Sequence, residues 1–245
     1  MRSQAAFVFL ILLVCFFFSL TGLARLSGSL IENPLPIALG ASMAWALTWS
    51  MVNRGLDGHP HDRFGTANTI TSVRGAMTLL LAACVPGTSS LERGVDNQVF
   101  WAISSIAAVA LLLDAVDGRL ARSSGLTSSF GARYDIETDA VLGLVIALLV
   151  WQGSELGIWV VMVGVLRYVF LLAGLLWPAL QGDLRPSLLR RLVGLVQVGV
   201  LIVLLTPLIE RPASVIVAAV ALLMLVGSFV RDLLWLFQDA GPNYT

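Results

Sequence analysis

The chain has 245 residues, of which 58% are hydrophobic and only 12% charged, with a formal net charge of zero and a mean hydropathy of +0.88. An ordinary soluble domain carries about 25% charged residues, so this composition excludes one and predicts an integral membrane protein. Zero net charge also excludes a global basic field for nucleic acid.

About 30 Å of hydrocarbon needs about 20 apolar residues per helix. Eight stretches qualify in chain order: 5–24, 34–52, 68–85, 98–116, 135–151, 157–177, 188–208 and 212–237. They divide the chain into a transmembrane hairpin (1–52), a polar segment (53–67), a transmembrane core (68–238) and a tail (239–245). The first stretch also has a signal-peptide look, with Arg2 before the apolar run and Thr21-Gly22-Leu23-Ala24 after it. The run is long for that and no A-x-A cleavage site follows.

The polar segment holds His59 and His61 beside Asp57 and Asp62. Two His with one residue between them and no further ligand read as a solvated loop rather than a metal site. Cys15 and Cys84 lie in apolar runs, with neither metal spacing nor a disulfide framework, and read as small buried hydrophobes. Seven Trp are dispersed along the chain, several near predicted span ends, where interfacial anchoring is a sufficient reason.

All fifteen basic residues are Arg. Codon usage would explain that, and so would phosphate binding by guanidinium forks. With the N-terminus in the cytoplasm, Arg2, Arg54, Arg63, Arg119, Arg122, Arg133, Arg185, Arg190 and Arg191 fall inside, and Arg25, Arg93 and Arg211 outside. That is the positive-inside arrangement. It points to the 117–134 segment facing the cytoplasm; the expected location is a bacterial-type inner or cell membrane.

Four aspartates flank that segment: Asp114 and Asp117 at the end of the fourth stretch, Asp135 and Asp139 at the start of the fifth. Spacings of three and four put each pair on one helical face. A carboxylate at mid-membrane costs about 2.5 to 3.5 kcal/mol, and the helix dipole returns only about 0.3 to 1 kcal/mol to Asp135. Mutual repulsion therefore calls for cations. An all-oxygen set suits hard divalent ions, Mg²⁺ or Mn²⁺, and two of them together stabilise the attacking and leaving oxygens of a phosphoryl transfer. Gly118 and Gly131 permit close backbone approach, and Arg122 offers a fork for phosphate. Solvated helix ends, or the cation site of an ion or solute transporter, are the competing readings; no internal repeat supports the transporter.

Asp114, Asp117, Gly118, Ala121, Arg122, Gly131, Asp135 and Asp139 together spell D-x2-D-G-x2-A-R-x8-G-x3-D-x3-D, eight fixed positions over 26 residues. This resembles the signature of the class I CDP-alcohol phosphotransferase family. The resemblance implies an all-α integral membrane protein. A six-helix core carries the signature on its second and third helices. Here two extra transmembrane helices precede the core, about eight in total. A weaker resemblance covers Asn68, Thr71 and Arg74, which match the family's Pro-Asn-x-x-Thr-x-x-Arg opening, with Ala67 in place of the proline.

The family transfers a substituted phosphoryl group from a CDP-alcohol, usually CDP-diacylglycerol, to an acceptor hydroxyl and releases CMP. By resemblance Asp114, Asp117, Asp135 and Asp139 hold two divalent cations, and Asp139 is also the general base. Asn68, Thr71, Arg74, Gly118, Ala121, Arg122 and Gly131 line the CDP pocket. A homodimer is common in the family. An intact aspartate set argues against a non-catalytic binder.

The acceptor is read from the arginines. Arg133, Arg167, Arg190, Arg191 and Arg231 would suit a phosphorylated acceptor, such as glycerol-3-phosphate or an inositol phosphate, better than a neutral alcohol. The bland readings are an ion pair for Arg167 with Asp232, Glu155 or a carbonyl, and an anionic-lipid anchor for Arg190-Arg191. Glu137 reads as solvated or paired with Arg133.

Overall fold

The computed structural model describes residues 2–26, 34–56, 64–94, 96–124, 128–176 and 188–239. Among these residues the protein is all α-helix with no strand. The helices are α1 (Arg2–Leu26), α2 (Pro34–Gly55), α3 (Thr66–Thr88), α4 (Gln98–Ser124), α5 (Ser129–Gly153), α6 (Met162–Leu176, entered through a 3₁₀ turn at Ile158–Val161), α7 (Leu188–Leu205) and α8 (Ala213–Asp239). Lipid leaves backbone groups no water to bond, so an apolar chain that crosses it closes its hydrogen bonds within helices. By length and composition α1, α3, α5 and residues Ala213–Trp235 of α8 can each cross a membrane. Shorter apolar helical stretches fill Gln98–Asp114, Ile158–Phe170 and Leu192–Leu205.

The largest departure from expectation lies around the aspartates. Residues 117–134 were expected to be a loop, but α4 runs on to Ser124 and α5 starts at Ser129. The apolar run ends where lipid ends, yet a helix can continue into water. Arg, Leu and Ala, which fill that stretch, are good helix formers. Ser128 caps the start of α5, its Oγ accepting from Gly131 N–H at 3.0 Å, which satisfies one of the orphan donors of the first turn.

Helix α3 sits at the centre, packed against α5, α4 and α1; α5 also packs on α6 and α7, and α7 on α8. Leu81, Cys84, Phe100, Ile103, Ile146, Leu149, Leu204 and Leu205 form the fully buried heart of this bundle. Small residues let backbones approach, as membrane bundles require: a Cβ at Gly164 of α6 would stand 2.6 Å from Leu144 Cα of α5. Outward faces are apolar. On α2, Leu35, Leu39, Met43, Leu47 and Met51 are all exposed, a stripe repeating every fourth residue that faces lipid.

Helices α1 and α2 close a second cluster over the start of α3. Ala5, Phe9, Trp45, Val52, Leu56, Phe64 and Ala76 are buried there, with Trp49, Phe130 and Tyr134 against them. The Phe9 ring meets Trp45 edge-on at 5.5 Å and Trp49 at 5.1 Å, and such aromatic pairs add about 0.5–1.5 kcal/mol beyond burial.

At the other end of α3 the half-buried Arg93 ties three segments together. Its Nη1 donates to Gly153 O at 2.8 Å, and its Nη2 to Leu204 O at 2.8 Å and Thr206 O at 2.7 Å. Its guanidinium also lies 5.8 Å from the Phe100 ring centroid. These carbonyls sit at or just past the C-terminal ends of α5 and α7, where the helix leaves acceptors unsatisfied and the dipole favours a cation.

Candidate metal centre

Helix α3 opens at Gly65, whose φ of 82° lies where L side chains rarely go. Its first turns are tied inward by their own side chains. Asn68 Nδ2 donates to Phe64 O (2.6 Å), Thr71 Oγ1 to Ala67 O (3.1 Å) and Ser72 Oγ to Asn68 O (2.8 Å). Asn68 and Thr71 are buried. A Cβ at Gly131 would stand 2.8 Å from Asn68 Oδ1 and 3.2 Å from Ser128 Oγ. Glycine at 131 thus lets the first turn of α5 lie on α3 at Asn68.

One helical turn further, Arg74 has no exposed surface, and its guanidinium reaches three carboxylates on two other helices. Nη1 stands 2.6 Å from Asp135 Oδ1 and 3.2 Å from Asp114 Oδ1, and Nη2 pairs with Asp139 Oδ1. Asp114 comes from α4 and the other two from successive turns of α5, as their spacing predicts. One oxygen of each carboxylate lies within 4.8 Å of the others. Side-chain exposure rises from 30% at Asp114 through 33% at Asp135 to 44% at Asp139, so Asp139 is the most accessible of the three.

This donor set fits a hard divalent cation. All donors are carboxylate oxygens, the preference of Mg²⁺ and Mn²⁺. Three carboxylates against one guanidinium leave two negative charges uncompensated among these four groups. Asp117, Gly118, Ala121 and Arg122 lie on α4, while their side chains fall outside the described residues, as do those of Arg190 and Arg191. His59, His61 and Arg185 are likewise outside.

Sequence reasoning placed Arg74 in the nucleotide pocket and missed its position among the carboxylates. A signal was available. An Arg inside an apolar helix is expensive without partners, and no acid lies three or four residues from Arg74 on its own helix. Ser72, Phe130 and Tyr134 were missed too: the Tyr134 hydroxyl donates to Ser72 Oγ at 3.3 Å, and the Tyr134 ring stacks on Phe130 at 5.8 Å.

The arginines considered for an acceptor separate. Arg167 of α6 pairs with Glu137 of α5 at 3.3 Å, a partner different from the three weighed for it, and one that also replaces Arg133 as the partner expected for Glu137. Arg231 pairs with its neighbour Asp232 at 3.1 Å. Arg133 is exposed on α5, two residues before Asp135.

The family model described as CDP-alcohol phosphatidyltransferase matches residues 64–228, which takes in the whole carboxylate cluster and Arg74 and leaves out α1 and α2. No curated protein and no solved structure matches the chain.

Proposed function

Since the chain belongs to the CDP-alcohol phosphatidyltransferase family, and so transfers a phosphatidyl-type group from a CDP-alcohol, we propose that its donor is CDP-diacylglycerol and its acceptor a small phosphorylated alcohol. The observation that carries this reading is the convergence of Asp114, Asp135 and Asp139 on one point, at the polar end of a bundle whose outer faces are apolar. A donor with two acyl chains can reach such a site from within the membrane, while a water-soluble acceptor reaches it from outside.

Asp114, Asp117, Asp135 and Asp139 would hold two divalent cations, Mg²⁺ or Mn²⁺. When bound, these neutralise the donor pyrophosphate and the phosphate of departing CMP. Asp139, more accessible than Asp114 or Asp135, takes the proton from the acceptor hydroxyl. The acceptor oxygen attacks the phosphatidyl phosphorus, and the bond from that phosphorus to the bridging oxygen of CMP breaks. Arg74 holds the carboxylates together from behind and keeps their repulsion from spreading α4 and α5.

Among the candidate arginines whose side chains are described, Arg133 is the one assigned to the acceptor phosphate, because Arg167 and Arg231 already hold carboxylates. Gly118, Ala121 and Arg122 line the nucleotide pocket with Asn68, Thr71 and Gly131. The arginine bias supports a site at the cytoplasmic face of a cell membrane.

The test is a membrane-fraction assay with labelled CDP-diacylglycerol and a panel of phosphorylated and neutral alcohols. Expected are CMP release that needs Mg²⁺ or Mn²⁺ and a product headgroup that carries a phosphate. No CMP release with any acceptor, or the same turnover after chelation, overturns the reading. Lipid analysis of a strain lacking the chain would name the acceptor by the headgroup that disappears.

A further inference from the structure

We propose that the hairpin of α1 and α2 is a positioning element of the active site: through Gly55 against Phe130, and Gln4 against Phe64, it sets where the first turns of α5 and α3 stand. The proposal rests on the site assignment above. The hairpin lies outside the matched residues 64–228. A hairpin that served only as an anchor would need apolar faces and nothing more. This one makes two specific contacts, and both end on the helix starts that frame the carboxylates.

The first contact is steric. Gly55 is the last residue of α2, and a Cβ added there would overlap the Phe130 ring at Cδ2 and Cε2. The ring therefore lies directly on the α2 backbone. Phe130 stacks on Tyr134, with ring planes 10° apart, and these residues are four apart on one face of α5. Tyr134 donates to Ser72 Oγ on α3. It also immediately precedes Asp135, while Ser72 stands two residues before Arg74. A displaced Phe130 ring is thus passed on to both partners of the Arg74–Asp135 pair.

The second contact is polar. The Phe64 N–H donates to Gln4 Oε1 of α1 at 3.5 Å, and Phe64 O accepts from Asn68 Nδ2 at 2.6 Å. Asn68 Oδ1 in turn abuts Gly131, in the same turn of α5 as Phe130. Phe64 itself is buried in one cluster with Val52 and Leu56. Close-packed neighbours transmit a displacement rather than absorb it.

Gly55→Ala adds the single carbon for which there is no room. The test uses the full chain in detergent micelles, with Mn²⁺ titrated by electron paramagnetic resonance and turnover measured alongside. Loss of a residue that orients metal ligands typically weakens the metal by 10- to 100-fold, and about tenfold is expected here. The thermal midpoint should change little. Phe130→Leu in the Gly55→Ala background gives back space while keeping a side chain against α2 and Tyr134, and should return Mn²⁺ affinity to within about threefold of wild type, the sign of two residues coupled through one contact.

Unchanged Mn²⁺ affinity in Gly55→Ala overturns the proposal, and so does a loss that Phe130→Leu leaves in place. Should Gly55→Ala not fold, Gln4→Leu removes the second contact without adding bulk at the first. It should weaken Mn²⁺ by about threefold, less than the 10- to 100-fold of a residue that holds a ligand directly, and wild-type affinity in that variant overturns the proposal. Wild-type protein that binds no Mn²⁺ overturns the site assignment itself, and the proposal with it.

Discussion

Arg74 and Arg93 stand at opposite ends of the same bundle and do opposite kinds of work. Arg93 donates to three main-chain carbonyls at the ends of α5 and α7. Burial lowers its pKa, and Glu155 and Glu210 pull it back up. Arg74 meets three carboxylates. A carbonyl at a helix end has a fixed place and a partial charge, so Arg93 is a clamp with one setting. A carboxylate carries a full charge that a divalent cation can also satisfy, so the hold of Arg74 on its partners depends on what else is bound. The difference separates an arginine that ties main chain from one that meets the carboxylates of the proposed site, although both are drawn inward from apolar surroundings.

The comparison can be broken in four places. Asp139→Asn should remove the base and one arm of the Arg74 cluster, lowering turnover by about 10³-fold, within the range for a positioned general base. The assay is CMP release in membranes, and turnover within tenfold of wild type would remove Asp139 from that role. Arg74→Met leaves carboxylates facing one another. With a chelator present it should lower stability by about 3 kcal/mol, the low end for removing one member of a buried charged set, since the carboxylates are partly exposed. Added Mg²⁺ should restore most of the loss. Thermal unfolding with and without chelator reads this directly, and a metal-independent loss would make Arg74 a clamp like Arg93.

Arg93→Met should cost about 2 kcal/mol, a modest sum for charged hydrogen bonds to three carbonyls. The loss should be the same with chelator or with Mg²⁺, and Mn²⁺ affinity should stay at the wild-type value. A shift in that affinity would join the two ends of the bundle into one system. Smallest of all, Glu137→Gln should change stability by no more than about 0.5 kcal/mol. Its pair with Arg167 is about half exposed on the Glu side, and such pairs contribute little. A large loss of turnover there would return Arg167 to the acceptor site.

The carboxylate cluster was legible in the sequence because its geometry is local. Spacings of three and four residues specify a helix face wherever the helix lies, and the cost of anions in an apolar chain marks them out. The helical character of α4 beyond Asp117 was harder to see, because hydropathy reports where lipid ends rather than where a helix ends. The place of Arg74 among residues from α4 and α5, and the pairing of Arg167 with Glu137 thirty positions earlier, depend on which helices become neighbours. Neither periodicity nor composition records that. Gly55 shows the limit most plainly: it reads as an ordinary helix end, and only the Phe130 ring lying on it gives it a purpose.

Helix α4 ends ten residues after Asp114, and α5 begins ten residues before Asp139. At 1.5 Å per residue, about 15 Å of helix extends past Asp114 on one arm and past Asp139 on the other. These two arms are equal, so Asp114 and Asp139 face each other at matched depth, measured in helical turns rather than in loop length. On the proposed reading, a lipid donor and a water-soluble acceptor would meet at that common level, held by the pitch of two rods.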